Sequence, residues 1–163
     1  MLEAAPWRPP GLRTSPVSAA RSMIAPAPPP PGRKALVVGI NAYSSSPLHC
    51  CLNDATAVHE ALQRMGFASM LVTDCDIKTF DRAKGVFVNS LQPGDIAFFY
   101  FAGHGTEASI LQAGRYNASN WLIALEMPEH RDDLPRFAVD AHNLLAEIGS
   151  EDVVQRARAR LLP

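Results

Sequence analysis

A three-layer α/β fold built on a mainly parallel sheet is what this sequence predicts, on three observations. Short, continuous apolar runs recur at 34–40, 69–73 and 95–102. Stretches of helical periodicity fill the gaps between them, at 53–67 and 77–91. Strand, helix, strand, helix, strand at this spacing requires parallel pairing with right-handed crossovers, hence helices on both faces of one sheet.

Before the first of these runs the chain has a different character. Nine of the 14 prolines lie ahead of Arg33, and the stretch APAPPPPG (25–32) favours extended polyproline II over packed structure. Residues 1–33 therefore read as a disordered, proline-rich tail. Their arginines, serines and near-absence of acids also suit an organelle targeting segment, while the prolines and Glu3 oppose the amphipathic helix that such segments form. The folded unit is expected from Lys34 to about residue 150, a size usual for one domain. It has enough apolar residues, 47% of the chain, to bury a core.

KALVVGI (34–40) is β-branched, unbroken and followed by a polar loop, as in a strand covered on both faces. The next segment, 53–67, opens on Asn53 and Asp54, places Val58, Leu62 and Met65 on one helical face and stops at Gly66. SMLVT (69–73) is a second strand, and Phe80, Phe87 and Leu91 mark a second helix. Gln92, Pro93 and Gly94 make a turn into DIAFFYFAGHG (95–105), the most apolar strand of the chain. Beyond it, NWLIAL (120–125) reads as a strand, and 139–149 as a helix with Leu144, Leu145 and Ile148 inward.

Composition excludes several classes of function. The chain carries a formal charge of −1; Arg8, Arg13, Arg21 and Arg33 against Glu3 give the tail +3, which leaves −4 for the rest and no basic face for nucleic acid. The longest apolar run is far short of the ~18 residues of a membrane span, so a soluble, cytoplasmic protein is expected, with organellar targeting as the alternative. Three cysteines, Cys50, Cys51 and Cys75, make no disulfide framework.

Parallel sheets bind ligands at the carboxyl ends of their strands. The expected loops there are 41–53, 74–76 and 103–119, and polar groups gather in them: Asn41, Tyr43, His49, Cys50, Cys51, Asn53, Asp54, Asp74, Asp76, His104, Thr106 and Glu107. His104 is foremost. It follows the most apolar strand and stands between Gly103 and Gly105, which leave the imidazole and nearby amides uncovered for a general base beside an oxyanion hole. On position alone, a loop histidine that merely ends a strand is the equal alternative.

Three segments in register go further than any one of them. ALVVGINAY (35–43), LHCCLNDATAVHEALQRMGF (48–67) and LQPGDIAFFYFAGHGTE (91–107) resemble the large-subunit half of caspase-like cysteine peptidases of the metacaspase and paracaspase type. The likeness covers roughly residues 34–107, with a looser continuation to about 148. It implies a caspase-like fold in which His104 is the base that deprotonates a cysteine thiol and the Gly105 amide helps to hold the oxyanion. It places Cys51 and Asp54 in the pocket for the residue before the cleaved bond, where a buried carboxylate would favour Lys or Arg. Asp54 alternatively serves the dipole of its helix, and the two roles are compatible.

The family's nucleophile follows the histidine by roughly 50 residues on another sheet strand. That position falls near Val154, in EDVVQRARARLLP (151–163), a divergent segment that reads as no buried strand, and no cysteine follows Cys75. The resemblance therefore implies a sheet incomplete at its C-terminal side, truncated before the catalytic cysteine, and a chain inactive as written. A pseudoprotease module that binds an active relative is the alternative, its proline-rich tail then suiting SH3 or WW-type domains. Cys51 as substitute nucleophile, or His49, Cys50, Cys51 and His104 as a zinc site, are weaker readings. Where relatives carry several calcium-binding aspartates, only Asp140 remains, Asn120 stands where a further acid is expected, and Asp132 and Asp133 read as solvated loop charges. The expectation is accordingly no cofactor, with calcium the alternative. In the family arrangement the catalytic strand lies beside 95–102, so its absence leaves that strand with an open apolar edge.

Overall fold

The computed structural model describes residues 31–112 and 115–149. The readings made for the proline-rich tail before residue 31, and for the divergent end from 150 on, lie outside the described residues.

Strand β1 (Arg33–Gly39) is the centre of a parallel sheet, with β2 (Ala68–Thr73) on one side and β3 (Ile96–Ala102) on the other. Val37, for example, lies between Leu71 and Tyr100. Because side chains alternate across a strand, the unbroken apolar run of β1 supplies both faces. Ala35 and Val37 pack with Ala55 and Leu62 of helix α1 (Cys51–Arg64), while Leu36, Val38 and Ile40 pack with Phe80 and Phe87 of helix α2 (Ile77–Ser90). The layers are thus helix, sheet, helix, as expected. The order β2-β1-β3 sends the two crossovers in opposite directions, so right-handed connections put α1 and α2 on opposite faces.

Local chemistry fixes the ends of these elements. Gly39 has no Cβ, and one added there would lie 2.7 Å from Ala55 Cβ and 2.8 Å from the Cys51 carbonyl, so glycine lets α1 seat directly on the end of β1. Asp76 caps α2, its carboxylate accepting from the Thr79 amide at 2.8 Å. At the opposite edge, Asp95 accepts from the amides of Gly32 (2.8 Å) and Gln92 (2.9 Å) and pairs with Lys34 at 2.6 Å. One carboxylate thereby ties the entry of β1 to the turn before β3.

The structure departs from the sequence-based expectations in four places. Helix α1 starts two residues early, at Cys51, and ends at Arg64; Met65 caps it and is 53% exposed, while Phe67 takes the inward place. The segment 103–119, expected as a loop, contains a hairpin of β4 (Gly105–Gln112) and β5 (Arg115–Ile123), whose second half includes much of the strand expected at 120–125. Its inward side carries Ala108 and Ile110, a period-2 pattern that Glu107 and Ser109 interrupt on the outer face. The helix expected at 139–149 begins as a strand, β6 (Ala138–Asp140), which completes an antiparallel sheet β4-β5-β6; α4 (Ala141–Ile148) follows. Asp140 sets that boundary by accepting from the amides of His142 (2.9 Å) and Asn143 (3.2 Å) and from the Ser119 hydroxyl. Finally, Leu144 is buried in α4 but Leu145 turns outward and is 64% exposed.

A 3-10 turn (Arg131–Asp133) and the short helix α3 (Leu134–Phe137) lead into β6. Among the described residues no helix is long and apolar enough to cross a membrane.

Candidate functional site

Neighbouring strands β1 and β3 diverge beyond their carboxyl ends, one toward α1 and the other into the β4 hairpin. Parallel sheets take ligands at such a parting, and the segments that flank it here are the loop 41–50 and Gly103–Gly105.

The loop is tightly tied. The Asp74 carboxylate accepts from the amides of Asn41 (2.7 Å) and Ala42 (3.0 Å), and Asp74 itself adopts a left-handed φ of 44°. The Asn41 side-chain oxygen accepts from the Cys51 amide at 3.0 Å and its carbonyl from Tyr43 and Leu48, at 2.9 and 2.8 Å. Asn41 therefore satisfies the first amide of α1 while folding the loop back on itself.

This loop presents two groups to His104. The imidazole Nε2 lies 2.7 Å from the Ser46 carbonyl oxygen. A carbonyl can only accept, so Nε2 carries the proton, and in the neutral ring Nδ1 then keeps its lone pair for other work. The Tyr43 ring lies against the imidazole, with centroids 4.5 Å apart and planes at 58°. Its hydroxyl accepts from the His104 amide at 2.9 Å and donates to the Ile123 carbonyl at 2.9 Å. Tyr43 is 2% exposed, and burial pushes its phenol up to about 12, against the opposing effect of the His104 amide. The hydroxyl is thus protonated throughout the physiological range, as a donor to Ile123 must be.

Gly105 opens β4 opposite Leu122. Because the Ile123 amide donates to the His104 carbonyl at 3.0 Å, the 104/123 pair is the hydrogen-bonded one, and by alternation the Gly105 amide points away from β5. An outward amide next to a histidine is the arrangement an oxyanion donor needs. Gly103 is required sterically: a Cβ there would stand 2.5 Å from the Tyr43 hydroxyl and 2.7 Å from the Phe101 ring.

The other two expected site residues fall on the first turn of α1. Cys51 is half-buried, and its thiol is pushed above its ordinary range by burial and then by the nearby Asp54 charge. A thiol so placed is a poor thiolate at neutral pH. Asp54 corrects the sequence-based expectation of a buried carboxylate: it is exposed, because helix register turns it outward while Ala55 faces the sheet. Among the described residues no hydrogen bond joins the Cys51 thiol to His104, and no three His, Cys, Asp or Glu side chains meet as a cation site. Cys75 is buried and its thiol, raised by desolvation to about 11, is inert by the same reasoning. The partners of His104 escaped the sequence reading. Tyr43 appeared only as one polar group among many, and Ser46 acts through its main chain, which no side-chain pattern announces.

A caspase-domain family model matches residues 32–144. The chain belongs to the caspase-domain family. Curated relatives of this caspase domain are metacaspases. Metacaspase-1 of Mycosarcoma maydis is 30% identical over 103 residues, covering 56% of this chain and 26% of its own length. Metacaspase-5 of Trypanosoma brucei brucei is 37% identical over 101 residues, covering 51% and 20%, and Metacaspase-2 of the same organism is 37% identical over 95 residues, covering 48% and 27%. The matched part is thus between a fifth and about a quarter of each of these relatives. A crystal structure of a protein from Geobacter sulfurreducens superposes with a TM-score of 0.56 over 73% of this chain and 45% of that one; at 19% identity it supports the fold alone. The caspase domain here is therefore metacaspase-like in sequence and α/β in architecture, with His104 at the carboxyl edge of its parallel sheet.

Proposed function

We propose that this caspase domain carries the histidine half of a metacaspase-type cysteine endopeptidase site, and that the 163-residue polypeptide does not cleave peptides by itself. The observation that carries the proposal is the orientation of His104. Its Nε2 proton is spent on the Ser46 carbonyl, which leaves Nδ1 as the base for a thiol, beside the outward amide of Gly105. No such thiol stands there among the described residues. Cys51, the candidate at the same sheet edge, has its amide tied to the Asn41 side chain and its thiol pushed up by burial and then by Asp54.

Asp54 and Cys51 form the substrate-facing start of α1 in this reading. The exposed carboxylate pairs with a basic side chain before the cleaved bond, through solvent-screened attraction that gives modest selectivity. A second reading is a pseudoprotease that binds peptides or a caspase-like relative without cleaving them.

Fluorogenic peptides ending in Arg or Lys provide the test. The full chain is expected to release no fluorophore above background. Cleavage that disappears in both His104→Ala and Cys51→Ala would overturn the inactive reading and make Cys51 the nucleophile. Binding of the same peptides without cleavage, weakened by Asp54→Asn, supports the binding module.

A further inference from the structure

Antiparallel residues in a hydrogen-bonded pair exchange two bonds, each amide donating to the opposite carbonyl. His104 and Ile123 form such a pair at the mouth of the β4–β5 hairpin, yet only one of the two bonds is direct: the Ile123 amide donates to the His104 carbonyl at 3.0 Å. The return bond is broken into two. The His104 amide donates to the Tyr43 hydroxyl at 2.9 Å, and that hydroxyl donates to the Ile123 carbonyl at 2.9 Å. A side chain from a loop 61 residues away thus occupies a rung of the ladder.

We propose that Tyr43 is the positioning residue of His104, its hydroxyl wedging the ladder open at this rung so that the imidazole lies over the Tyr43 ring and reaches Ser46. The functional sense of the device rests on His104 being the base; the geometry does not. Three independent features converge on it. The hydroxyl has no slack, since its one proton goes to Ile123 and it accepts from His104, so phenylalanine would remove the partner of a part-buried donor and of a buried acceptor. The space for the wedge is made by Gly103, where a Cβ would come within 2.5 Å of that oxygen. The base of the wedge is rigid, because Asp74 holds the amides of Asn41 and Ala42 and the Asn41 carbonyl holds the amide of Tyr43. A direct rung would instead draw His104 toward β5 and carry its imidazole off the Tyr43 ring and away from Ser46.

Amide hydrogen exchange on the full chain reads this rung directly, without any need for catalysis. In the wild type the His104 amide is expected to be strongly protected, and an amide exchanging at the rate of an unstructured peptide overturns the proposal outright. Tyr43→Phe is expected to lower that protection by about tenfold or more while the amides of Leu36 and Val38, in the core of β1, change by less than about twofold. Protection that falls in step at all three sites contradicts a positioning role, and so does protection that survives at His104 while the Nε2–H resonance of its ring is unchanged; surviving protection with that resonance shifted marks the direct rung closing and the imidazole leaving Ser46. Gly103→Ala leaves the phenol in the sequence and displaces it sterically, so it is expected to repeat the His104 effect; an unchanged His104 amide in that variant also contradicts the proposal. Failure of peptide cleavage bears on the catalytic reading and leaves these outcomes untouched.

Discussion

Single atoms decide the state of the candidate site. His104 gives its Nε2 proton to a main-chain carbonyl, and Cys51 keeps its thiol proton because burial and the Asp54 charge disfavour the thiolate. Alkylation of Cys51 by iodoacetamide is therefore expected to be slow at neutral pH and to accelerate as the pH passes the usual thiol range. Asp54→Asn should speed it at a given pH by removing the like charge; an unchanged rate in a mass-spectrometric time course would contradict that cause. Glycines act at the same scale. Gly39→Ala would force α1 off β1, since the new methyl meets Ala55 and the Cys51 carbonyl inside contact distance. A loss of about 2 kcal/mol or more is expected in urea denaturation, in line with overpacked cores. His104 could be singled out from the sequence because a histidine between glycines at the end of an apolar strand is a visible pattern. Ser46 could not, since its contribution is a carbonyl that every residue possesses.

Elements were legible where one physical signal dominated. The strands β1, β2 and β3 are continuous apolar runs, and the faces of α1 and α2 are set by residues such as Leu62, Phe80 and Phe87. Phe80 stacks on Phe101, with centroids 5.9 Å apart and planes at 8°, and Phe80→Ala is expected to cost about 3–5 kcal/mol in chemical denaturation. The β4 hairpin is hidden in the sequence because its small and polar residues mask the alternation of Ala108 and Ile110 against Glu107 and Ser109. Likewise the apolar spacing in 139–149 concealed a strand-to-helix boundary that Asp140 enforces through its cap. The turn before β3 carries a pH dependence. Burial opposes charge on Asp95, but Lys34 and the amides of Gln92 and Gly32 outweigh it and hold the carboxyl below its ordinary range. A lowered carboxyl stabilises the fold above its unfolded-state pKa, and the contribution disappears as pH falls through the folded value. Asp95→Asn should therefore be less stable than wild type near pH 6, with the gap closing toward pH 3; a gap constant over that range would argue against this linkage.

On the scale of the whole molecule, the most apolar strand stands at a sheet edge. β3 lies at the edge of the parallel sheet, and among the described residues nothing pairs with its outer side. Ile96 and Phe98 are 49% and 39% exposed. An open edge of this composition pairs with other chains, so the purified polypeptide is expected to self-associate with rising concentration and Phe98→Lys to reduce that association. Sedimentation velocity showing a monodisperse monomer at high concentration would refute this. At the other end of the same strand, the sheet edge assembles Ser46, Tyr43 and Gly105 around one imidazole, and the functional account depends on that imidazole's orientation. Its most direct measurement is the long-range proton–nitrogen NMR spectrum of the neutral His104 ring in the full chain. The account requires a single Nε2–H tautomer with an unprotonated Nδ1, whereas an Nδ1–H tautomer, or an even mixture of the two, would contradict it.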